Sequence, residues 1–190
     1  MLPKKVLQKI SRELNQYQKE RNHIIETSRH LLQASKEAIF ALHRQDKAKA
    51  DSQLQAADKI LRQLNSKYNK GQRLRFEGSY KAAVEEYVEA KLFAAIVREE
   101  RVAQFPAGEI GPEEYIGGLA DVTGELVRQA VLRSSAGHNQ VLKIYREITE
   151  EIVGFMLQLY LTGSLRQKFD DAKRNLKRLE QMEYEINLRS

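Results

Sequence analysis

The fold is decided by the first long stretch of the chain, residues 4–44, which reads KKVLQKISRELNQYQKERNHIIETSRHLLQASKEAIFALHR. Neither proline nor glycine occurs from residue 4 to residue 70, which is typical of long helices. Apolar residues such as Ile24, Leu31, Ala38 and Leu42 recur at three- or four-residue spacing, the pattern of an amphipathic helix. Thirty-odd helical residues would reach roughly 50–60 Å. Such a rod needs partner helices along its length, or another subunit.

Five further helices are predicted from apolar periodicity and from the residues that begin and end helices. No segment alternates with a period of two, so the sequence predicts an all-α bundle of six to seven helices in one domain, residues 1–190. The first helix is predicted to end near Gln45 and Asp46, and the second at residues 69–71. Ser79 is the predicted N-cap of a third helix that runs to about Gln104, and Pro112 lies in the first turn of a fourth that runs to about Leu132. After a loop at residues 134–138, a fifth helix is predicted from Asn139 to Leu161, and a break at residues 162–164 precedes the last helix.

Composition limits the possible chemistry. Charged residues make up 31% of the chain and hydrophobic residues 42%, which fits a globular protein rather than a disordered one. There is no cysteine, so disulfides, thiolate metal sites and a cysteine nucleophile are excluded. The sequence shows no apolar run long enough for a membrane helix and no secretory signal, and we expect a cytoplasmic protein without a membrane partner. The net charge of +6 suits a polyanionic partner, although many helical proteins carry such a charge without one.

Two acidic pairs are the candidate functional residues. Glu86 and Glu89 share the apolar face of the third helix, where an ionised carboxylate is costly unless it is paired or binds a cation. Asp121 and Glu125 lie one turn apart on the fourth helix, beside Gly117, Gly118 and Gly124, which leave room for a backbone or a ligand to approach. The alternative is that these acids are solvated, or are paired with Arg128 one turn away.

If the two pairs meet, they form a site of four oxygen ligands, which suits Mg²⁺, Mn²⁺ or Ca²⁺. Carboxylate-bound Mg²⁺ most often serves phosphoryl transfer, so the residues predict a metal-dependent nuclease or phosphohydrolase. Other polar residues are weaker candidates. His43 could contact phosphate, but a lone helical histidine is more often structural or exposed. The basic residues of the last helix, Lys168 among them, fit the solvated exterior of a coiled coil.

Four segments resemble the translin family, and within it the branch of translin-associated factor X (TRAX). The segments are SKEAIFALHR (35–44), EYVEA (86–90), YIGGLADVTGEL (115–126) and KRLEQMEYEINLR (177–189). The second and third segments are similar to the two acidic motifs of the TRAX branch. The connection between the two acidic helices is short where eukaryotic members carry a long insertion, which suggests a compact prokaryotic, archaeal-like member.

The resemblance implies a translin-like helical fold whose subunits assemble into a closed octameric barrel. It also implies Mg²⁺-dependent endoribonuclease activity on single-stranded RNA, with Glu86, Glu89, Asp121 and Glu125 as catalytic and metal-binding residues. The residues expected to contact RNA are Arg29, Lys36, Arg44, Arg73 and Arg75. Mn²⁺ could replace Mg²⁺, and a homo-oligomer is more plausible than a mixed one. The alternatives are an oligomer that binds single-stranded RNA or DNA without catalysis, and a purely structural helical adaptor.

Overall fold

The computed structural model describes residues 3–68, 76–100 and 110–188. These residues form helices and turns and contain no strand, which confirms the all-α prediction. Among them, no helix has both the length and the apolar character that crossing a membrane requires. The helices, in chain order, are α1 (Lys4–His43), α2 (Lys47–Lys67), α3 (Gly78–Val97), α4 (Pro112–Ser135), α5 (Gln140–Leu157) and α6 (Gly163–Asn187).

Helices α3 and α4 pack against each other in the middle of the bundle. On one side α1 packs against both α2 and α3, and on the other side α4 packs against α5 and α6. The core contains apolar residues from all six helices, and its largest fully buried side chains include Tyr87 and Phe93 of α3. Consequently α1 and α6 flank the central α3–α4 pair.

Helix α1 is exposed at its start, from residue 4 to residue 16. Its buried side chains begin at Ile24, and no residue from 3 to 23 is buried. Four apolar residues in this half are about half exposed, namely Val6 (49%), Leu7 (48%), Ile10 (54%) and Leu14 (53%). The buried contacts of α1 with α2 and α3 thus lie along its second half, and from the first half Tyr17 packs against the core while partly exposed.

The ends of α1 and α3 are set by left-handed residues rather than by glycine. Gln45 has φ of 60°, and the Asp46 N–H donates to the Ala41 carbonyl over 2.9 Å. Glu99 has φ of 56°, and the Glu100 N–H donates to the Ala95 carbonyl over 3.0 Å. Both are the six-to-one hydrogen bonds of a Schellman motif, which ends a helix. The break near residues 45 and 46 is therefore confirmed, and His43 is the last residue of α1.

Several predicted boundaries were wrong. Helix α3 ends at Val97 because Glu99 turns the backbone, whereas the predicted end, Gln104, lies outside the described residues. Ser79 is not the N-cap, since α3 already begins at Gly78 after an extended Glu77. Helix α4 includes residues 134 and 135, which had been placed in a loop, because its left-handed residue is Gly137. Helix α5 begins and ends inside its predicted range, and the predicted end of α2 at residues 69–71 lies outside the described residues.

Two glycines allow α3 and α4 to approach closely. A Cβ atom on Gly118 would lie 2.6 Å from the backbone oxygen of Glu85 and 2.7 Å from Cβ of Val88. A Cβ atom on Gly117 would lie 2.8 Å from the carboxyl carbon of Glu85. The room predicted beside Asp121 is thus filled by α3 at these two positions. Gly124 differs, because its added Cβ would make only an ordinary 3.7 Å contact with Asn175.

We expect Gly118→Ala to destabilise the protein by about 1–3 kcal/mol, because the new methyl group overlaps a backbone atom that cannot move alone. Gly154→Ala in α5 is the matched control, since nothing lies within 4 Å of its added Cβ. The control should raise stability by about 0.5–1 kcal/mol through helix propensity. Urea unfolding followed by circular dichroism measures both. Equal effects of the two substitutions would contradict the close approach.

Candidate metal and nucleic-acid site

The four predicted carboxylates come together between α3 and α4. Glu86 and Glu89 project from α3, and Asp121 and Glu125 project from α4, the helix packed against it. The charges of Glu86, Asp121 and Glu125 all act on Glu89 and raise its pKa. We call these four residues the acid cluster.

Glu89 lies deepest in the acid cluster. It is 8% exposed, among the fully buried side chains of α3. Burial, followed by the charges of Glu86, Asp121 and Glu125, raises the pKa of Glu89 to about 9. The prediction that this residue lies on an apolar face of the helix is confirmed. Near neutral pH this carboxyl group is therefore held in its neutral form, unless a cation compensates for its desolvation.

Glu86 is the more accessible partner on α3, with a side chain 20% exposed. Burial raises the pKa of Glu86, the nearby Lys36 opposes that rise, and Asp121 and Glu125 add to it. Lys36 Nζ lies 4.0 Å from Glu86 Oε2. One of the basic residues expected to contact RNA therefore borders the acid cluster from α1.

Asp121 is engaged by Lys168 of α6, a residue that the sequence analysis had placed on a solvated exterior. The Lys168 ammonium group donates to the Asp121 carboxylate and lies 3.3 Å from a carboxylate oxygen of Glu85. Its side chain is only 22% exposed. The exterior assignment was wrong because Lys168 stands three residues after Leu165 and four before Ala172, on the apolar face of α6.

Glu85 had been left outside the predicted ligand set. Its carboxyl group is partly buried, and burial raises its pKa while the Lys168 charge lowers it. Glu114, also left outside, is buried at 8% exposure and adds to the upward shift of Glu85. Both residues therefore belong to the surroundings of the acid cluster.

Glu125 is engaged by His43, whose Nε2–H donates to its carboxylate. The His43 side chain is 2% exposed, its Nδ1 lies 2.7 Å from Oε1 of Gln129, and its ring centre lies 4.7 Å from that of Phe93. Arg128, the partner considered from sequence, lies 3.7 Å from Glu125 but is itself half exposed. The position of His43 four residues after the apolar Ile39 was the signal that placed it on the buried face of α1.

The donor chemistry of the acid cluster fits a hard divalent cation. It supplies four carboxyl groups and no sulfur, and the most buried of them lacks a directly paired cation among the interactions described. As the side chains stand in residues 3–68, 76–100 and 110–188, however, no three histidine or acidic side chains converge closely enough to hold an ion. Asp121 is turned to Lys168 and Glu125 to His43, so metal binding requires these two carboxylates to exchange partners.

The predicted RNA-contact residues divide into two groups. Arg29, Lys36 and Arg44 are exposed on α1, and the Lys36 ammonium group reaches the edge of the acid cluster. Arg73 and Arg75 lie outside the described residues. The structure thus places one basic surface, that of α1, beside the acids.

We expect Lys168→Met to lower the stability of the metal-free protein by about 1–3 kcal/mol, because two partly buried carboxylates lose their cation. Lys173→Met is the control on the same helix, where the lysine pairs with exposed Asp170 across one turn. That pair should contribute less than about 0.5 kcal/mol. The measurement is urea unfolding in the presence of a chelator. Similar losses for both variants would show that Lys168 is as weakly engaged as Lys173.

Comparison with solved structures shows the same fold across almost the whole chain. NeC3PO in its apo form superposes with a TM-score of 0.83 at 22% identity, covering 95% of this chain and 96% of that one. AfC3PO in a complex with duplex RNA gives 0.83 at 21% identity, covering 96% of both chains. Identities this low show similarity of fold alone.

Sequence comparison shows the family. A translin of Gallus gallus is 33% identical over 78 residues, which is 40% of this chain and 34% of the chicken protein. The matched region thus spans about a third of that relative's length. The model of the Translin family matches residues 19–190, nearly the whole chain. With the helical fold and the family match in agreement, the chain belongs to the translin family.

Proposed function

We propose that this protein is a Mg²⁺-dependent endoribonuclease that cleaves single-stranded RNA, and that it is a member of the TRAX branch. The observation that carries the proposal is the partly buried acid cluster, in which Glu89 is 8% exposed and has its pKa raised to about 9. In a structural salt bridge the desolvation of a carboxylate is offset by a paired cation, whereas no such cation is paired directly with Glu89 among the described contacts. Glu86 and Glu89, whose pKa values burial raises, lie on the helix that packs against the one carrying Asp121 and Glu125, and such a set of carboxyl groups is what a cation site requires.

The residues that would hold the ion are Glu86, Glu89, Asp121 and Glu125, and their oxygens suit Mg²⁺ or Mn²⁺. When bound, such an ion would polarise a phosphoryl oxygen and lower the pKa of a water, whose oxygen could then attack the phosphorus atom. His43 is a positioning residue here, because its hydrogen bond orients the Glu125 carboxylate. Lys168 likewise holds Asp121 and Glu85 until a cation replaces it.

The polyanionic substrate is supported by charge. The chain carries a net charge of +6, and Arg29, Lys36 and Arg44 are exposed on the helix that borders the acid cluster. Cations of this kind neutralise phosphates and bring a nucleic acid to the surface. The relative AfC3PO is described with duplex RNA, which supports RNA as the ligand class.

We also propose a homo-oligomer, an octamer by resemblance to the family. The half-exposed apolar residues Val6, Leu7, Ile10 and Leu14 support it, since an uncovered apolar row on a projecting helix is typical of a subunit contact. Light scattering should therefore give a multiple of the chain mass. A mass equal to that of one chain would contradict the oligomer.

A second candidate is an oligomer that binds single-stranded RNA or DNA without cleaving it. The specific observation in its favour is that Lys168 and His43 already engage Asp121 and Glu125, so that no three acids converge within the described part of the chain. On this reading Lys168 and His43 occupy the carboxylates permanently in place of a metal ion.

Incubation of end-labelled single-stranded RNA with the protein distinguishes the two candidates. The nuclease should cleave within the strand in Mg²⁺ or Mn²⁺ and should stop on addition of a chelator. Salt-sensitive binding without metal-dependent cleavage would leave the second candidate and overturn the first.

A further inference from the structure

An exposed row on α1 carries an aromatic residue between cations. Arg29, Gln33, Lys36, Phe40 and Arg44 follow one another at intervals of four, three, four and four, so they share one face of the helix. All five are exposed, and Phe40 retains 50% of its surface. Neither the core nor the acid cluster uses Phe40.

The exposure of Phe40 does not arise from a poorly packed helix end. Its neighbours Ile39 and Ala41 are buried at 5% and 1% exposure, because this half of α1 packs against α2 and α3. The backbone therefore holds Phe40 outward in a defined position. A large apolar ring held in this way on a cationic surface is available to a ligand.

Arg44 completes the aromatic surface. Its guanidinium carbon lies 5.5 Å from the centre of the Phe40 ring, within the range of a cation–π interaction. Aromatic rings and guanidinium planes are the surfaces on which the bases of single-stranded nucleic acids stack. Duplexes offer no such exposed base faces along their length.

The row also runs alongside the acid cluster. Lys36, one turn before Phe40, lies 4.0 Å from Glu86, and His43, three residues after Phe40, bonds to Glu125. From Lys36 to Arg44 the helix rises by roughly 12 Å. A base stacked on Phe40 would thus have its phosphates between two cations and next to the acids.

We propose that Phe40, backed by Arg44, is a base-stacking platform that holds one nucleotide of a single strand beside the acid cluster. This inference rests on the proposed function in one respect only, that the ligand is a nucleic acid. A second copy of the chain is the other possible occupant, but a two-fold contact would set Arg29, Lys36 and Arg44 of one copy against those of the other. Charge complementarity therefore favours the polyanion.

The absence of tryptophan from the chain makes a direct test available. Phe40→Trp introduces a sole tryptophan, and its fluorescence is followed during titration with a short single-stranded RNA in the presence of a chelator. Tyr160→Trp, at a position 97% exposed between α5 and α6, is the matched control. We expect quenching for Phe40→Trp and none for Tyr160→Trp, with a much smaller change when the same strand is annealed to its complement.

Affinity provides the second readout. Phe40→Leu keeps an apolar side chain but removes the ring, and should weaken single-strand binding by about 5- to 150-fold, the range found for loss of one stacked base. Phe40→Tyr should restore it. Light scattering of each variant reports whether the assembly has changed.

The outcomes separate this inference from the proposed function. Tight binding by the wild type, with no quenching and no loss in Phe40→Leu, overturns the platform and leaves the nuclease proposal standing. Quenching and weakened binding without Mg²⁺-dependent cleavage support the platform and overturn the nuclease. A change of oligomer mass in Phe40→Leu, or no binding by the wild type, overturns the platform.

Discussion

Asp121→Asn is expected to lower Mg²⁺-dependent cleavage of single-stranded RNA by at least about 100-fold, since the loss of even an outer-shell partner of a metal site costs 10–100-fold. The amide keeps the size of the side chain but removes the negative charge and one hard oxygen ligand. Cleavage of end-labelled RNA under single-turnover conditions measures the effect. RNA affinity in a chelator should not fall, because the change removes a negative charge near the phosphates.

Asp170→Asn on α6 is the matched control. Asp170 forms only exposed pairs with Arg166 and Lys173, away from the acid cluster, so cleavage should be unchanged. The fold of both variants is checked by circular dichroism. Unaltered cleavage by Asp121→Asn would remove this residue from the metal site, and the same result for Glu86→Gln would overturn the nuclease itself.

Glu89→Gln is expected to stabilise the metal-free protein, and increasingly so as the pH rises. The pKa of Glu89 is raised from 4.5 in the unfolded chain to about 9 in the folded one. Between those values the folded state binds more protons than the unfolded state, so wild-type stability falls with rising pH. The contribution is fully present below the unfolded pKa and is lost as the pH passes the folded one. At about 1.4 kcal/mol per pH unit, the loss from pH 5 to pH 8 is at most roughly 4 kcal/mol.

The measurement is chemical unfolding of wild type and Glu89→Gln across this pH range in a chelator. The stability difference between them should widen toward high pH. Glu113→Gln is the control, because Glu113 is exposed at the start of α4 and pairs with Lys81 on the surface. A constant difference between wild type and Glu89→Gln would mean that Glu89 is ionised throughout.

Metal binding should reverse this pH dependence. A divalent ion compensates for desolvation of the Glu89 carboxylate, so Mg²⁺ should raise the stability of the wild type more at high pH than at low pH. The amide of Glu89→Gln gains much less. Glu89, which the proposed nuclease needs, thus lowers the stability of the folded protein without metal, as expected of a functional residue.

Much of the molecule could be predicted from the sequence. The helical periodicity of α1 and the absence of proline and glycine from residue 4 to residue 70 predicted the long first helix correctly. Periodicity also placed Glu89 on a buried face, and its side chain is 8% exposed. Helix ends were less predictable, because Gln45 and Glu99 adopt left-handed conformations for which residue type provides little signal.

The sequence by itself determined the all-α architecture, the acidic pair on the apolar face of α3, the second pair beside the glycines of α4, and the restriction to oxygen and nitrogen ligands. Tertiary structure alone decided which donor side chains face those acids. Lys168 reaches Asp121 across 47 residues of chain, and His43 reaches Glu125 across 82. The physical reason is that helical periodicity specifies which face of a helix is buried. It does not specify which other helix packs on that face, because the hydrophobic effect is non-directional. In the folded protein α3 packs closely against α4 at Gly117 and Gly118, and this packing brings the two acidic pairs to the same part of the bundle.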